Sequence, residues 1–258
     1  MYLLLDYETI RHDSFITNKI KVIQMKNALI TGSTKGMGRA IAIAFAKEGI
    51  NLAVNARNTD DLAAFKTELL DINPNIKVFT AVADGSDRQQ LLQFAEGARR
   101  ELGAINIIVN NLGMYKYSNI LDDEQGLFEK MVNTNLMPAY ELYRLFGKDM
   151  AAAGEGHIFS ICSVASLNPV VEAGIYSVTK AALLSLSNTM RLEMQEHGVK
   201  VTAVIPGSTL TDSWKGQDVD KDLMVLPEDV ASAILTIYKM SKGANVDQII
   251  IKPAKGQL

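Results

Sequence analysis

Residues 28–45 read Ala28-Leu29-Ile30-Thr31-Gly32-Ser33-Thr34-Lys35-Gly36-Met37-Gly38-Arg39-Ala40-Ile41-Ala42-Ile43-Ala44-Phe45. A short apolar run ending at Thr31 passes straight into three glycines, and the glycines open a segment of helical apolar spacing. A strand that turns directly into a helix offers free backbone N–H groups where an anion is favoured, and glycines keep side chains out of its path. Gly32 suits the tight turn, while Gly36 and Gly38 suit close approach of a pyrophosphate; Ser33, Lys35 and Met37 complete the candidate cradle. The spacing is Gly-x3-Gly-x-Gly, not the commoner Gly-x-Gly-x2-Gly of dinucleotide-binding folds. On this stretch alone, a tight turn with small residues for helix packing competes with a nucleotide site.

Outward from the loop, short apolar runs alternate with longer segments of helical period, as in a parallel sheet covered on both faces. Strands are expected at Ala28–Thr31, Asn51–Asn55, Lys77–Val82, Ile105–Asn110, His157–Ser163, Lys200–Ile205 and Val246–Ile251. Helices are expected at Gly36–Lys47, Asp60–Asp71, Ser86–Leu102, Asp122–Ala153 with a break, Gly174–His197 and Pro227–Met240. Ser86 with Gln89 fits a capping box, Pro227 fits a first helical position, and Gly49 and Gly198 fit helix stops. The fold class is α/β: a single Rossmann domain over residues 25–258, doubly wound, with about seven parallel strands. Residues 1–24 do not follow the alternation, and they are expected to be an upstream extension, with translation starting at Met25.

Of the 258 residues 48% are hydrophobic, so apolar burial alone suffices for folding. A net charge of −3 with dispersed charges gives no footprint for nucleic acid or an anionic membrane, which leaves a small-molecule substrate. One cysteine, Cys162, and three scattered histidines give neither a disulfide nor a metal site, and suggest a reduced cytoplasmic protein. The apolar stretch after Met1 is stopped by Asp6, too short for a signal peptide, and no run is long enough to span a bilayer.

Tyr176 and Lys180 are four residues apart on an apolar-periodic helix, so both project from one face. An ammonium near a phenol lowers its pKa, so Lys180 is expected to tune Tyr176 toward neutral pH. Ser163 lies 13 residues before Tyr176 at a strand's carboxyl end, where open α/β sheets place ligands; Ser160, Ser166 and Ser177 are alternatives. Asn135 and Asn133 both lie in the long helical segment, and helical geometry alone does not choose between them. The second strand ends Asn55-Ala56-Arg57-Asn58, with a basic residue where an acid would favour NAD; Asp60 and Asp61 read as helix N-terminal charges.

The chain resembles the short-chain dehydrogenase/reductase family through Thr31-Gly32-x3-Gly36-x-Gly38, Asn110-Asn111-Leu112-Gly113, Asn135, Ser163, Tyr176-x3-Lys180 and Pro206-Gly207, in that order. The resemblance implies a catalytic set of Asn135, Ser163, Tyr176 and Lys180, with Tyr176 as general acid, Ser163 holding the substrate carbonyl and Asn135 supporting a proton relay to Lys180. It also implies cofactor contacts at Asn111, Gly113, Tyr176, Lys180, Pro206, Gly207, Thr209 and Thr211, and at Asp84 near the adenine. Arg57 with Lys35 is similar to the pattern that prefers NADP(H) over NAD(H). The implied function is reduction of a carbonyl resembling the substrates of 3-oxoacyl-acyl-carrier-protein reductases, by a homodimer or homotetramer. Alternatives are an alcohol or 3-hydroxy acid dehydrogenase and a non-catalytic redox sensor. Leu112 stands where the family usually has Ala, and the tail after Ile251 lacks the Asp-Gly-Gly of many such reductases.

Overall fold

Alternate residues of the first strand feed opposite cores, Ala28 and Ile30 on one face and Leu29 on the other, so residues 28–30 are all apolar. The computed structural model describes residues 25–123, 125–214 and 220–256; the segment 1–24, expected to be an extension, lies outside the described residues. Strands β1 (Asn27–Ile30), β2 (Asn51–Ala56), β3 (Val78–Val82), β4 (Ile107–Asn110), β5 (Gly156–Ile161), β6 (Val199–Pro206) and β7 (Gln248–Ile251) form one sheet ordered β3-β2-β1-β4-β5-β6-β7. Every pairing is parallel. Helices α1 (Gly36–Lys47), α2 (Thr59–Ile72) and α7 (Pro227–Tyr238) cover one face through Phe45, Phe65 and Ile234. The other face is covered by α3 (Arg88–Leu102), α5 (Met137–Ala153) and α6 (Gly174–Met194) through Phe94, Phe146 and Met190.

Local chemistry moved several boundaries. Helix α3 begins at Arg88 with Asp87 as its cap, its carboxylate accepting from Gln90 N at 3.0 Å, so the expected Ser86–Gln89 box is not the cap. Ser86 instead donates to Asp84. The expected long helix starts at Leu127, because Asn119 and Asp122 exchange two hydrogen bonds that hold a turn where helix was expected. It breaks at Leu136 into α4 (Leu127–Asn135) and α5: Pro138 has no N–H for the carbonyl of Thr134, and its ring crowds the preceding turn. Gly49 and Gly198 do end helical segments, with φ of 76° and 68°.

Strand β1 lies between β2 and β4, so the chain's direction of travel across the sheet reverses there. The loops after β1 and β4 diverge at that point and open a crevice at the strands' carboxyl ends.

Candidate active site

Thr31 ties the two diverging loops together. Its Oγ1 accepts from Asn111 N at 3.1 Å and Leu112 N at 3.0 Å. Asn111 Nδ2 donates to the carbonyls of Thr31 and Gly32, both at 2.9 Å. Gly32 N donates to Asn55 Oδ1 at 3.1 Å, and Asn55 Nδ2 to Ala83 O at 3.1 Å, so the carboxyl ends of β1, β2, β3 and β4 are bound together. Asn55 was not singled out from sequence; its burial is the consequence of these contacts. Two expected cofactor contacts prove to brace the loop with their side chains: the Asn111 amide grips it, and the Ser33 hydroxyl donates inward to Ile30 O at 2.6 Å while Ser33 N donates to Asn55 O. Ser33 therefore has no donor left for a ligand.

Lys35 precedes α1 in extended conformation, and no side chain caps that helix. The amides of Gly36, Met37 and Gly38 therefore face the crevice as an uncapped N-terminus, which favours an anion. Gly36 has φ of 53°, and a methyl there would lie 3.2 Å from Thr211 Cγ2, which brings the loop after β6 against the cradle. That loop is pinned by Gly207 N to Ile251 O at 2.8 Å, and Thr209 Oγ1 donates back to Gly207 O. Pro206 ends β6, so Pro206, Gly207 and Thr211 lie beside the crevice, while Thr209 is buried.

The cradle fits a pyrophosphate because it has donors without side chains. A methyl at Gly38 would fall 2.4 Å from Gly32 O and 2.5 Å from Asn111 Nδ2. Gly38→Ala is therefore expected to pry the loop open, weakening nicotinamide nucleotide binding about tenfold or more and costing ~1–3 kcal/mol of stability. Fluorescence titration and denaturant unfolding check both; unchanged binding would remove the cradle from consideration.

The proposed catalytic residues converge. Ser163 follows β5 and caps the 3-10 turn Val164–Ser166: its Oγ accepts from Ala165 N at 3.2 Å, and Ser166 Oγ accepts from Ser163 N at 3.2 Å. This fixes the Ser163 side chain, whose hydroxyl lies close enough to Tyr176 to favour its ionised form. Two of the alternatives are engaged elsewhere, and the third is unpartnered. Ser166 supports Ser163, Ser177 is held by Val170 N and Ala173 O, and Ser160 Oγ is buried with no partner. Asn135, at the end of α4, accepts from Met114 N at 2.7 Å and donates to Met114 O and Thr179 Oγ1, locking the loop after β4 to α6. Asn133 is exposed. Lys180 is buried and donates to Ile161 O at 2.8 Å; a methyl at Gly113 would lie 3.3 Å from Lys180 Nζ and 3.8 Å from Asn135 Oδ1.

The electrostatics differ from the expected tuning. Burial raises the Tyr176 phenol above its ordinary value, the Ser163 hydrogen bond opposes this, and the net shift is upward. The lysine responds instead: burial draws Lys180 down to about 8. Tyr176 is thus held as a proton donor at neutral pH. Cys162, beside Lys180, is pushed by burial up to about 12, so its thiol is inert packing.

At the crevice's other end Arg57 is exposed after β2, and Lys35 Nζ lies 3.3 Å from Asp61 Oδ2. Burial alone would raise Asp84; hydrogen bonds from Ser86 and the charges of Arg57 and Lys130 outweigh it and hold the carboxyl below its usual range. Leu112, bulkier than the family's usual residue, reaches across Gly32 toward Gly85, where a methyl would lie 2.8 Å from its Cδ2. The absence of a side chain at Gly85 makes room for it. In the stretch that follows Thr211, Met224 is buried, and residues 215–219 lie outside the described residues. Among the described residues no cluster of His, Cys, Asp or Glu could hold a metal.

A doubly wound sheet with an uncapped helix at its switch point and a partly buried, protonated tyrosine defines a dinucleotide-dependent oxidoreductase. The short chain dehydrogenase family model matches residues 26–222, and the chain belongs to that family. It is 31% identical over 238 residues to the sepiapterin reductase of Chlorobaculum tepidum, covering 89% of this chain and 97% of that one. It is 30% identical over 239 residues to glycine betaine reductase ATRR of Emericella nidulans, of which it spans only 19%. Among solved structures, L-sorbose reductase from Gluconobacter frateurii complexed with NADPH and L-sorbose superposes with TM-score 0.82 at 27% identity, covering 92% of this chain and 97% of that one. The alcohol dehydrogenase of Thermococcus sibiricus complexed with 5-hydroxy-NADP gives TM-score 0.82 at 25% identity, covering 91% and 99%.

Proposed function

We propose that the protein is an NADP(H)-dependent carbonyl reductase that turns a ketone or aldehyde, 3-oxoacyl thioesters included, into the corresponding hydroxyl. The observation that carries this is the placement of Tyr176, a partly buried phenol whose pKa burial pushes up, next to Ser163 beside the crevice. When bound, the nicotinamide supplies the hydride. The chain's part is the proton: Tyr176 Oη gives it to the carbonyl oxygen as charge develops there, while Ser163 Oγ donates to the same oxygen. Lys180, still an ammonium below about pH 8, stands behind Gly113 to hold ribose hydroxyls and to resupply the proton, with Asn135 fixing the loop that positions it. In the oxidative direction Tyr176 would have to start ionised, and its raised pKa disfavours that. A redox sensor needs the cradle and has no use for the acid.

Preference for NADP(H) is supported by Arg57 and Lys35 at the adenosine end, by the lack of an acid at the end of β2, and by the NADPH and 5-hydroxy-NADP complexes of the two structural neighbours. Arg57→Ala is expected to weaken NADPH about tenfold and leave NADH within about twofold, from loss of a charge-assisted bond to the 2′-phosphate. Steady-state kinetics with both cofactors reads the ratio. Reduction of a small carbonyl compound is also in keeping with the sepiapterin and L-sorbose reductases. At the substrate end Tyr115 stands edge-on to the Tyr176 ring at 4.9 Å and to Tyr117 at 5.2 Å, an aromatic wall for the acyl or alkyl part of such a substrate.

The same reading makes the protein a cytoplasmic homodimer or homotetramer that binds neither nucleic acid nor membrane. Oligomer formation is supported by a groove of about 210 Å³ lined by Ile120, Asp123, Phe128, Ile175 and Val178, with Phe128 and Val178 exposed. Among the described residues no helix is long and apolar enough to cross a membrane. The test of function is NADPH oxidation against acetoacetyl thioesters, β-ketoesters, aldehydes, diketones and ketoses. Turnover of any class supports the reductase and names its substrate; tight NADPH binding with no turnover across the panel would overturn it in favour of a sensor.

A further inference from the structure

We infer that Asp61 is a specificity-determining residue that holds Lys35 away from the cofactor's 2′-phosphate and so moderates the preference for NADP(H). The inference rests on the NADP(H) reading above. Lys35 is the residue before α1 and Asp61 lies in the first turn of α2, and their side chains bridge the two helix starts at 3.3 Å. Asp61 is not required there to cap α2, because Asn58 does so, its side chain accepting from Asp61 N at 2.8 Å. Both cations at this end face a carboxylate of the chain itself, Lys35 facing Asp61 and Arg57 acting on Asp84.

A 2′-phosphate entering here meets a lysine that already has a counter-ion, and it brings a dianion close to the Asp61 carboxylate. It must displace or share Lys35, and either course opposes binding. NAD(H), with a hydroxyl at that position, leaves the pair intact. Asp61 therefore acts against one cofactor and is neutral toward the other. Both side chains are well exposed, so the effect is modest and sensitive to salt.

The test is calorimetric titration of the whole protein with 2′,5′-ADP and with 5′-AMP, for wild type, Asp61→Asn, Lys35→Ala and the double variant. Asp61→Asn is expected to tighten 2′,5′-ADP about three- to tenfold with 5′-AMP unchanged, and the gain should shrink in ~0.5 M salt. In the Lys35→Ala background most of the gain should vanish. If Lys35→Ala weakens 2′,5′-ADP but Asp61→Asn leaves the ratio unchanged, the Asp61 inference is overturned and the phosphate seat stands. If Lys35→Ala leaves 2′,5′-ADP binding unchanged even in the Asp61→Asn background, the seat itself is elsewhere and both fall. Equal tightening of both nucleotides would show a general charge effect and overturn the inference as well.

Discussion

Tyr176→Phe is expected to lower kcat/KM about 10²–10⁴-fold while NADPH binding stays within about twofold. The substitution removes one oxygen and keeps the ring that packs edge-on against Tyr115 at 4.9 Å, so the surrounding packing has no reason to move. What disappears is the phenolic proton donor beside Ser163. Ser163 loses its partner but keeps the capping bonds to Ala165 N and Ser166 Oγ that set its orientation. Catalysis by Ser163 alone, through a hydrogen bond to the developing oxyanion, accounts for the activity that remains. Stopped-flow reduction of the best panel substrate, beside a nucleotide titration, separates the two quantities. A variant that keeps more than about a tenth of the wild-type rate would show the proton coming from elsewhere, since loss of a general acid costs more than that.

The glycine spacing, the strand and helix alternation and the Tyr176–Lys180 interval were legible because each follows from backbone geometry that a sequence displays directly. The switch point came only with the strand order, which sets β1 between β2 and β4. Side-chain partners were less legible. Asn55 and Thr31 are ordinary strand-end residues in sequence, yet they bind the carboxyl ends of the central strands together through contacts 23 to 81 residues apart. Asp61 reads as a helix N-terminal charge until the fold brings Lys35 to it across the glycine loop. The Tyr176 phenol shifts up where the sequence suggested down, because an i, i+4 neighbour is visible in sequence whereas the burial that raises the phenol is a property of the assembled core.

That burial sets the expectation for Lys180→Met. The ammonium sits in the core with 3% exposure, it donates to the neutral carbonyl of Ile161, and burial draws its pKa from 10.5 to about 8. Between those two values the unfolded chain binds a proton that the folded chain releases, so this group makes stability rise with pH over that window. Below about pH 8 the folded protein carries the full cost of a buried charge, roughly 3 kcal/mol by linkage. Methionine has nearly the same length and no charge to desolvate. It also leaves Ile161 O without its donor, an opposing loss of about 1–3 kcal/mol that does not change with pH. The net stability difference at neutral pH is therefore small, and its slope carries the information. Relative to wild type, Lys180→Met should lose about 2–3 kcal/mol of stability between pH 7.5 and 10, measured by denaturant unfolding at each pH. Turnover should be lower by at least about 10²-fold throughout, as expected when a residue that supports proton transfer is removed. A stability difference that is flat across that window would mean Lys180 keeps its ordinary pKa, and with it would go the account of Lys180 as a buried cation retained for function at a cost in stability.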